Sequence, residues 1–325
     1  MSATSIIEAD LELSSKGSHK ESVPPAWLVI AAFGAVYVIW GSTYFGIRLA
    51  IDTIPPFLMA GGRFLTAGIC LFGCMTLRGA PAPTLAHWRD ATIIGALLLL
   101  VGNGGVSWAQ QTVPSGIAAL MVGATPLWIN LINWIRPNGE RPRAGVFGGI
   151  ALGFAGIALL VLSKDRLGHS VVDPCGAGVL LLAPLCWAWG SVFSRHAQQP
   201  AAPLQAIGMQ MITGGLLLLT AGLATGEAGR LHAEQITLTS GLAFLYLTLV
   251  GSLVGFTAYV WLLQVSTPAR VSTYAYVNPF IAVFLGWCFL DEPLSRSVLL
   301  AGGLIIVAVA LITTAGGARP ATVND

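Results

Sequence analysis

The chain has 325 residues, of which 55% are hydrophobic and only 9% are charged, and its formal net charge is +2. Soluble domains carry roughly 25% charged residues, so this composition excludes a water-soluble protein and indicates a polytopic membrane protein. The small net charge provides no basic surface for a nucleic acid, and we expect no nucleic-acid partner.

Residues 1–25 precede the first long apolar run, and they are mostly polar with mixed charge. This composition predicts a disordered N-terminal tail. The run that follows is too long for a signal peptide and lacks a small-residue cleavage site. The five cysteines are scattered, and no histidine or carboxylate lies near Cys70 and Cys74 to complete a metal site. We therefore expect the cysteines to be packing residues, with neither a metal nor a cofactor.

Ten segments are long and apolar enough to cross a bilayer core, which requires about 20 mostly apolar residues per helix. The sequence therefore predicts an all-α fold with ten transmembrane helices. The predicted spans are 26–48, 55–77, 91–111, 115–135, 144–163, 175–195, 203–225, 238–263, 269–290 and 297–315. Residues 317–325 form a short C-terminal tail.

The lysines and arginines predict the orientation of these spans. With the N-terminus in the cytoplasm, ten of the 16 basic residues fall in cytoplasmic segments and five in external ones, with Arg63 inside a span. Basic residues are enriched in cytoplasmic loops of membrane proteins. Both termini are therefore predicted to be cytoplasmic.

The two halves of the chain align with one another. Chance matches in apolar sequence would fall on Leu, Ala and Val, whereas these fall mainly on Trp, Pro, Gln and Gly. At a separation of 153 positions the matches are Gly102 with Gly255, Trp108 with Trp261, Gln111 with Gln264, Pro126 with Pro279, and Trp134 with Trp287. At 147 positions they are Pro56 with Pro203, Gly61 with Gly208, Thr66 with Thr213, and Gly68 with Gly215. Spans one and six share a Trp-Gly-Ser phrase at 149 positions.

Each repeat contains five spans, the first at 26–163 and the second at 175–316. Because five is odd, the second copy must enter the membrane in the opposite orientation. Inverted repeats of this kind are typical of secondary transporters, with the binding site near mid-membrane where the copies meet. The sequence predicts a central cavity at that position.

Spans one and six carry polar and aromatic residues where leucine would suffice. Trp40, Ser42 and Tyr44 correspond in the aligned phrase to Trp189, Ser191 and Phe193. Buried hydroxyls in a membrane must face protein or water. Helix packing by small residues would also explain the pattern, and the sequence leaves both interpretations open for Ser42, Tyr44 and Ser191. For the two tryptophans we favour cavity lining.

Span nine contains Tyr274, Tyr276 and Asn278 immediately before Pro279. Proline removes one helical hydrogen bond and kinks the helix, and Pro126 occupies the matching position in span four. Paired prolines in corresponding helices indicate hinges, although a static kink is the alternative. We favour cavity lining together with bending.

Span three contains Asn103, Ser107 and Gln110 at helical spacing, which predicts one polar face suited to a substrate path. Arg63 is the one strong charge well inside a span. An arginine there costs at least ~2.5 kcal/mol unless it reaches water or a partner. It could extend to the membrane surface, or it could point inward to hold a network or meet a substrate carboxylate.

The sequence also lacks several functional signatures. No Asp or Glu lies in the middle of a span, which disfavours simple antiport of cations, and no P-loop is present. A membrane-embedded enzyme would need a nucleophile, an acid–base pair or a metal cluster at one membrane face, and a sensor would need an output domain. The sequence shows none of these, so we expect no enzymatic activity, while both remain alternative functions.

Six phrases together resemble the EamA-type transporters of the drug/metabolite transporter superfamily, in particular the YedA-like inner-membrane exporters. The phrases are WGSTYFGIRLAI, PPFLMAGGRF, VGNGGVSWAQQ, VPSGIAALMVGATP, WAWGSVFSR and STYAYVNPFIAVFLGW. The resemblance covers about residues 26–316. It implies ten helices around a cavity formed mainly by spans 1, 3, 4, 6, 8 and 9, a bacterial inner-membrane location, and efflux of small metabolites.

The sequence and this resemblance together predict a secondary active exporter of small neutral or zwitterionic metabolites, such as amino acids, working by alternating access. Its partners would be the lipid bilayer and a small-molecule substrate. Aromatic rings would contact the apolar part of the substrate, and hydroxyl and amide groups would bind its polar part. The predicted site residues are Trp40, Ser42, Tyr44, Arg63, Asn103, Ser107, Gln110, Trp189, Ser191, Tyr274, Tyr276 and Asn278, with Pro126 and Pro279 as hinges.

Overall fold

The computed structural model describes residues 24–136, 143–163, 172–266, 268–271, 273–292 and 294–316. The C-terminal tail lies outside these residues, as does the N-terminal tail apart from residues 24 and 25.

The described chain folds into ten apolar helical bodies, numbered here as the predicted spans. They are α1 (Ala26–Ala50), α2 (Pro56–Leu77), α3 (Leu85–Ala109), α4 (Ser115–Gly123 and Thr125–Ile135), α5 (Ala144–Leu162), α6 (Pro174–Ser194), α7 (Pro203–Ala224), α8 (Leu238–Tyr246, Leu247–Val254 and Gly255–Val265), α9 (Tyr274–Phe289) and α10 (Arg296–Gly316). Eight of them are long and apolar enough to cross a membrane, and α9 and α10 contribute shorter apolar segments. The predicted all-α membrane fold is confirmed.

Two of the helices change their winding near the middle. In α3 the segment Ala96–Gly104 is a π-helix, and in α8 the segment Leu247–Val254 is one as well. A π-helix places its hydrogen bonds five residues apart, is rare, and is frequently found at functional sites. The two segments lie at corresponding places in the two halves, which hydropathy alone does not reveal.

The α2 and α7 helices make a backbone contact that fixes the relation between the halves. An ideal Cβ at Gly68 would lie 2.7 Å from the backbone nitrogen of Ile212, and one at Gly215 would lie 2.6 Å from that of Leu65. Later residues of α2 thus meet earlier residues of α7, so these two corresponding helices run antiparallel. Glycines let membrane helices approach this closely.

The α5 and α10 helices repeat this relation at another place. An ideal Cβ at Gly149 would lie 2.9 Å from the Ala308 oxygen, and one at Gly156 would lie 3.0 Å from the Ala301 oxygen. Gly149 and Gly156 of α5 therefore serve packing inside the protein, against α10. The largest buried apolar cluster lies here, among α4, α5, α6 and α10.

The remaining pairings follow the same pseudo-twofold rule. The α1 helix packs against α8 and α9 of the second half, and α6 packs against α3 and α4 of the first half. Corresponding helices run antiparallel, and these contacts of the first half with the second have equivalent contacts of the second half with the first. The predicted inverted repeats are therefore confirmed.

Carboxylates from the second half close two helix ends of the first half. Glu227, between α7 and α8, is fully buried, and its Oε2 accepts a hydrogen bond from the backbone nitrogen of Leu58 at 2.9 Å. Glu292, between α9 and α10, accepts from the backbone nitrogens of Ser115 at 2.5 Å and Gly116 at 3.0 Å. A carboxylate is favourable at a helix N-terminus, where backbone N–H groups lack partners. Both ties therefore hold the two halves together at one end of the bundle.

We predict that Gly68→Ala lowers the thermal stability of the purified protein. The new methyl group would lie 2.7–2.8 Å from backbone atoms of α7, so the helices must separate, at a cost of about 1–3 kcal/mol. The matched control is Gly73→Ala, five residues further along α2, where an added Cβ meets nothing within 4 Å. Equal melting temperatures for the two variants in detergent would contradict the α2–α7 contact.

Glu292→Ala should also lower the melting temperature, because it leaves two backbone N–H groups of α4 without their acceptor. The expected loss is about 1–3 kcal/mol. Glu234→Ala is the control, since the Glu234 side chain is 76% exposed and its ion pair with His232 is long, at 3.8 Å. If the control destabilises the protein as much as Glu292→Ala does, Glu292 is not the cap of α4.

Candidate functional site

An aromatic cluster lies where α1 of the first half meets α8 and α9 of the second. The ring of Trp40 lies 5.2 Å from Phe256, 5.0 Å from Tyr259 and 5.0 Å from Tyr274, measured between centroids. The Nε1 of Trp40 donates to the backbone oxygen of Gly251 at 3.3 Å. Two predicted site residues, Trp40 and Tyr274, are therefore in contact, at the boundary between the repeats.

Asn278 ties α9 to α1 beside this cluster. It is 7% exposed, and its amide, turned so that both groups are satisfied, donates to the backbone oxygens of Tyr274 and Tyr37 at 3.1 Å each. The hydroxyl of Tyr37 also lies 2.5 Å from Oγ1 of Thr273. In this conformation both amide hydrogens of Asn278 are used within the protein. The side chain of Tyr276 lies outside the described part of the chain.

Arg63 points inward and not to the membrane surface. It is only 4% exposed, and its Nε donates to Oγ of Ser252 at 2.9 Å. Ser252 in turn donates to the backbone oxygen of Leu247 at 3.1 Å, five residues back in the π segment of α8. Ser42 and Tyr246 form a further link between the halves, with their hydroxyl oxygens 2.6 Å apart. The π segment of α8 thus receives polar contacts from both α1 and α2.

A small crevice adjoins the aromatic cluster, among α3, α6, α7 and α8. Its volume is about 10 Å³, which is room for one water molecule. Its lining is apolar apart from one amide. The lining residues are Ile94, Gly95, Leu98, Leu99, Trp187, Ile207, Gln210, Met211 and Phe256. Phe256 belongs both to this crevice and to the Trp40 cluster.

The contacts correct the register between α1 and α6. Trp40 of the first half lies against Gly255 of the second half. An ideal Cβ at Gly255 would be 2.6 Å from Nε1 of Trp40. The position equivalent to Gly255 is Gly102, and an ideal Cβ there would lie 3.0 Å from Cε3 of Trp187. The spatial counterpart of Trp40 is therefore Trp187, 147 positions away, and not Trp189.

A second contact supports this register. Thr43 lies 3.3 Å from the ideal Cβ position of Gly251, and Leu98, which is equivalent to Gly251, lies against Gly190. Thr43 and Gly190 are again 147 positions apart, the same separation that relates α2 to α7. Trp189 itself is 44% exposed. The shared phrase misled the alignment because Trp-Gly-Ser occurs in both α1 and α6 at a separation of 149 positions, whereas positions that are equivalent in space are 147 apart.

The other predicted residues occupy several places. Tyr44 is half-buried against the large apolar cluster of α4, α5, α6 and α10. Ser191 donates to the backbone oxygen of Trp187 at 2.7 Å, inside its own helix. Asn103 is half-buried in the π segment of α3, with its Nδ2 3.5 Å from the Leu98 oxygen. Ser107 and Gln110 are each 1% exposed. Both amide atoms of Gln110 are buried without a hydrogen-bond partner among the described residues.

The two predicted hinge prolines lie near the crossing of α4 and α9. The α4 helix is interrupted at Ala124, immediately before Thr125 and Pro126. Pro279 lies inside α9, and its Cγ is 2.9 Å from the ideal Cβ position of Gly123. The interruption of one helix therefore faces the proline of the other.

Sequence reasoning missed five residues of this region, and partial signals existed for two of them. Trp187 stands in the phrase WAWGS, and Ser252 lies between glycines in VGSLVG, as Asn103 does in VGNGG. Tyr246, Phe256 and Tyr259 looked like ordinary aromatic residues of an apolar span. The missed residues are Trp187, Tyr246, Ser252, Phe256 and Tyr259.

Comparison with known proteins gives consistent results. The EamA-like transporter family matches residues 26–162 and again residues 175–314. The chain is 41% identical to the "Uncharacterized inner membrane transporter YedA" of Escherichia coli strain K12, over 88% of this chain and 90% of that protein. It is 28% identical to "Protein PecM" of Dickeya dadantii, over 84% and 88% of the two chains.

Another relative is the "Probable amino-acid metabolite efflux pump" of Escherichia coli strain K12, at 26% identity over 83% of this chain and 90% of that protein. A solved crystal structure superposes with a TM-score of 0.60 at 19% identity, covering 90% of this chain and 99% of the other. At that identity the superposition shows a shared fold alone. Two matches that together span most of the chain, and a relative with 41% identity, show that this multi-pass membrane protein belongs to the EamA-like transporter family.

Proposed function

We propose that this protein is a secondary active transporter that exports small neutral or zwitterionic metabolites, amino acids or similar compounds, across the bacterial inner membrane by alternating access. One observation carries the proposal. The buried polar contacts at the centre of the bundle join one repeat to the other: Trp40 to Gly251, Arg63 to Ser252, and Asn278 to Tyr37. Inverted-repeat transporters place their binding site at this interface.

The relatives support both transport and the substrate class. One is named as an inner membrane transporter and another as a probable amino-acid metabolite efflux pump. The excess of basic residues in the predicted cytoplasmic loops supports an orientation with both termini in the cytoplasm.

We assign the apolar contacts with the substrate to Trp40, Tyr274 and Trp187, which border the aromatic cluster and the crevice. Polar contacts would come from the nearby amide and hydroxyl groups once the halves separate. This polar set consists of Ser42, Asn103, Ser191 and Asn278. The crevice of about 10 Å³ is smaller than any amino acid, so the substrate enters through a more open conformation.

Alternating access requires helices that can bend. The interruption of α4 at Ala124 and the proline-containing turn of α9 meet at Gly123, which supports a hinge at their crossing. The π segments of α3 and α8 give each half a second place where helical hydrogen bonds can be rearranged. Because the repeats are inverted, a bend in the first half that opens the protein to one face of the membrane would correspond to a bend in the second half that opens it to the other face.

The proposal is tested with the full chain in proteoliposomes and in inverted membrane vesicles. We expect uptake of labelled amino acids into inverted vesicles, and the dependence on an imposed pH gradient reports the coupling. Asn103→Leu should reduce the initial rate at least tenfold, because it removes a half-buried amide of the central region. Gln111→Leu, an exposed position near the end of the same helix, is the control. Unchanged rates with Asn103→Leu would remove Asn103 from the site.

The corrected register makes a separate prediction about two neighbouring tryptophans. Trp187→Leu should raise the KM or lower the rate of uptake several-fold, because the ring lines the crevice between the repeats. Trp189→Leu should leave transport near that of the parent protein, since this ring is 44% exposed. The reverse result would favour the register of the shared phrase over that of the contacts.

A further inference from the structure

We infer that the substrate binds through a carboxylate at Arg63, with an apolar end directed to the crevice beside Trp187. This inference rests on the proposed transport function and specifies its substrate class: small amphipathic monocarboxylates. It starts from Arg63, a residue that is 4% exposed and whose guanidinium carries a charge inside the membrane region.

The hydrogen bonds of Arg63 leave most of its capacity unused. A guanidinium has five N–H donors, and among the residues that the structure describes only Nε has an acceptor, the hydroxyl of Ser252. In the ranges that the structure describes, no carboxylate oxygen lies within the 4.0 Å of an ion pair. Burying such a charge in the membrane without a partner costs free energy, and ionisable residues inside membrane spans usually mark functional sites. The structure thus holds a planar cation whose natural partner is a carboxylate.

The surroundings of Arg63 place it beside the aromatic cluster. Its Cζ lies 4.4 Å from the centroid of the Phe64 ring, and its Nη2 lies 4.0 Å from the ideal Cβ position of Gly251. The backbone oxygen of the same glycine accepts from Trp40. The absence of a side chain at Gly251 keeps space next to the guanidinium, and Arg63 and Trp40 meet at adjacent residues of one π segment.

The second half offers a contrasting environment at the equivalent place. Arg63 corresponds to Gln210, 147 positions away, and Gly251 and Ser252 correspond to Leu98 and Leu99, 153 positions away. Gln210, Leu98 and Leu99 line the small crevice together with Trp187. One copy of the symmetric site is thus cationic and hydroxyl-bearing, whereas the other is apolar with a single amide. A ligand that satisfies both copies must have an anionic end and an apolar end.

The distance between the two environments fits a small molecule. Ser252 touches Arg63, and Phe256 lines the crevice one helical turn later, about 6 Å along α8. The ring beneath the guanidinium, Phe64, belongs to the same apolar cluster as Leu99 and Phe256. An amino acid with a medium-sized apolar side chain spans this length.

The test uses pairs of probes that differ only in the carboxylate: L-leucine with L-leucinamide, and L-phenylalanine with L-phenylalaninamide. Uptake and its competition are measured in proteoliposomes, and ligand-induced shifts in melting temperature are measured on the detergent-purified full chain. We expect the parent protein to prefer the acids. Arg63→Gln should weaken the apparent affinity for the acids about tenfold or more and leave that for the amides unchanged.

Three further variants separate recognition from folding. Gln111→Leu removes an exposed amide outside the proposed site and should preserve the preference for acids. Ser252→Ala keeps the charge but removes the hydrogen bond from Nε of Arg63 that orients it, and should weaken acid binding about two- to fivefold. Arg63→Lys should restore part of the preference, because it returns the charge without the planar fork. If Arg63→Gln does not fold, the preferences of the Ser252→Ala and Arg63→Lys proteins decide the matter.

The outcomes distinguish this inference from the function on which it rests. Uptake of acids and amides alike, with the same ratio in every Arg63 and Ser252 variant, would overturn the inference while transport stands. Arg63 would then be a structural tie between α2 and α8. No uptake of any labelled metabolite by the parent protein would overturn the proposed function, and the inference would fail with it.

Discussion

Polar groups inside a lipid bilayer must find their partners within the protein, and in this chain many of those partners belong to the other repeat. The indole of Trp40, the guanidinium of Arg63 and the amide of Asn278 all reach across the boundary between the halves. Water cannot replace such contacts in hydrocarbon. The boundary is therefore where these contacts hold the halves together, and it is where the proposed substrate would compete for hydrogen bonds.

This constraint explains why helix irregularities gather at the same level of the bundle. A regular α-helix uses its backbone groups internally and presents only side chains. The π segment of α8 instead presents the Gly251 oxygen to Trp40 and the Ser252 hydroxyl to Arg63. The interruption of α4 faces Pro279 in a comparable way. Outside these places, the contacts between α2 and α7 and between α5 and α10 are close and apolar, which suits a rigid frame around a deformable centre.

Hydropathy and residue matching predicted much of this architecture. The ten apolar segments became ten helical bodies, because span length is set by bilayer thickness and is visible in composition. The glycine pairs Gly61 with Gly208 and Gly68 with Gly215 matched for a physical reason, since the backbones of α2 and α7 touch there. Matches at glycines therefore indicate close contacts, whereas matches at Leu or Ala indicate only that both segments are apolar enough to lie in a membrane.

Other features lay beyond the sequence. The π segments follow from how the backbone settles against neighbouring helices, and no residue pattern in α3 or α8 marks their bounds. Glu227 and Glu292 stand in loops, and nothing local shows that they close helices far away in the chain. Of the residues predicted for the site, Trp40, Tyr274 and Asn278 do lie together at the repeat boundary, whereas Trp187 was missed because the shared phrase suggested another alignment.

The register matters for function because it shows where the two copies differ. An exactly symmetric pocket would bind a substrate equally well in two opposed orientations. Here the equivalents of Arg63 and Ser252 are Gln210 and Leu99, so the two orientations are no longer equal in free energy. Inversion of the repeats supplies two related conformations that open to opposite sides. If the proposed transport function holds, divergence at these positions would let the carrier hold an asymmetric molecule in one orientation, while α2, α7, α5 and α10 keep the symmetric contacts that alternating access requires.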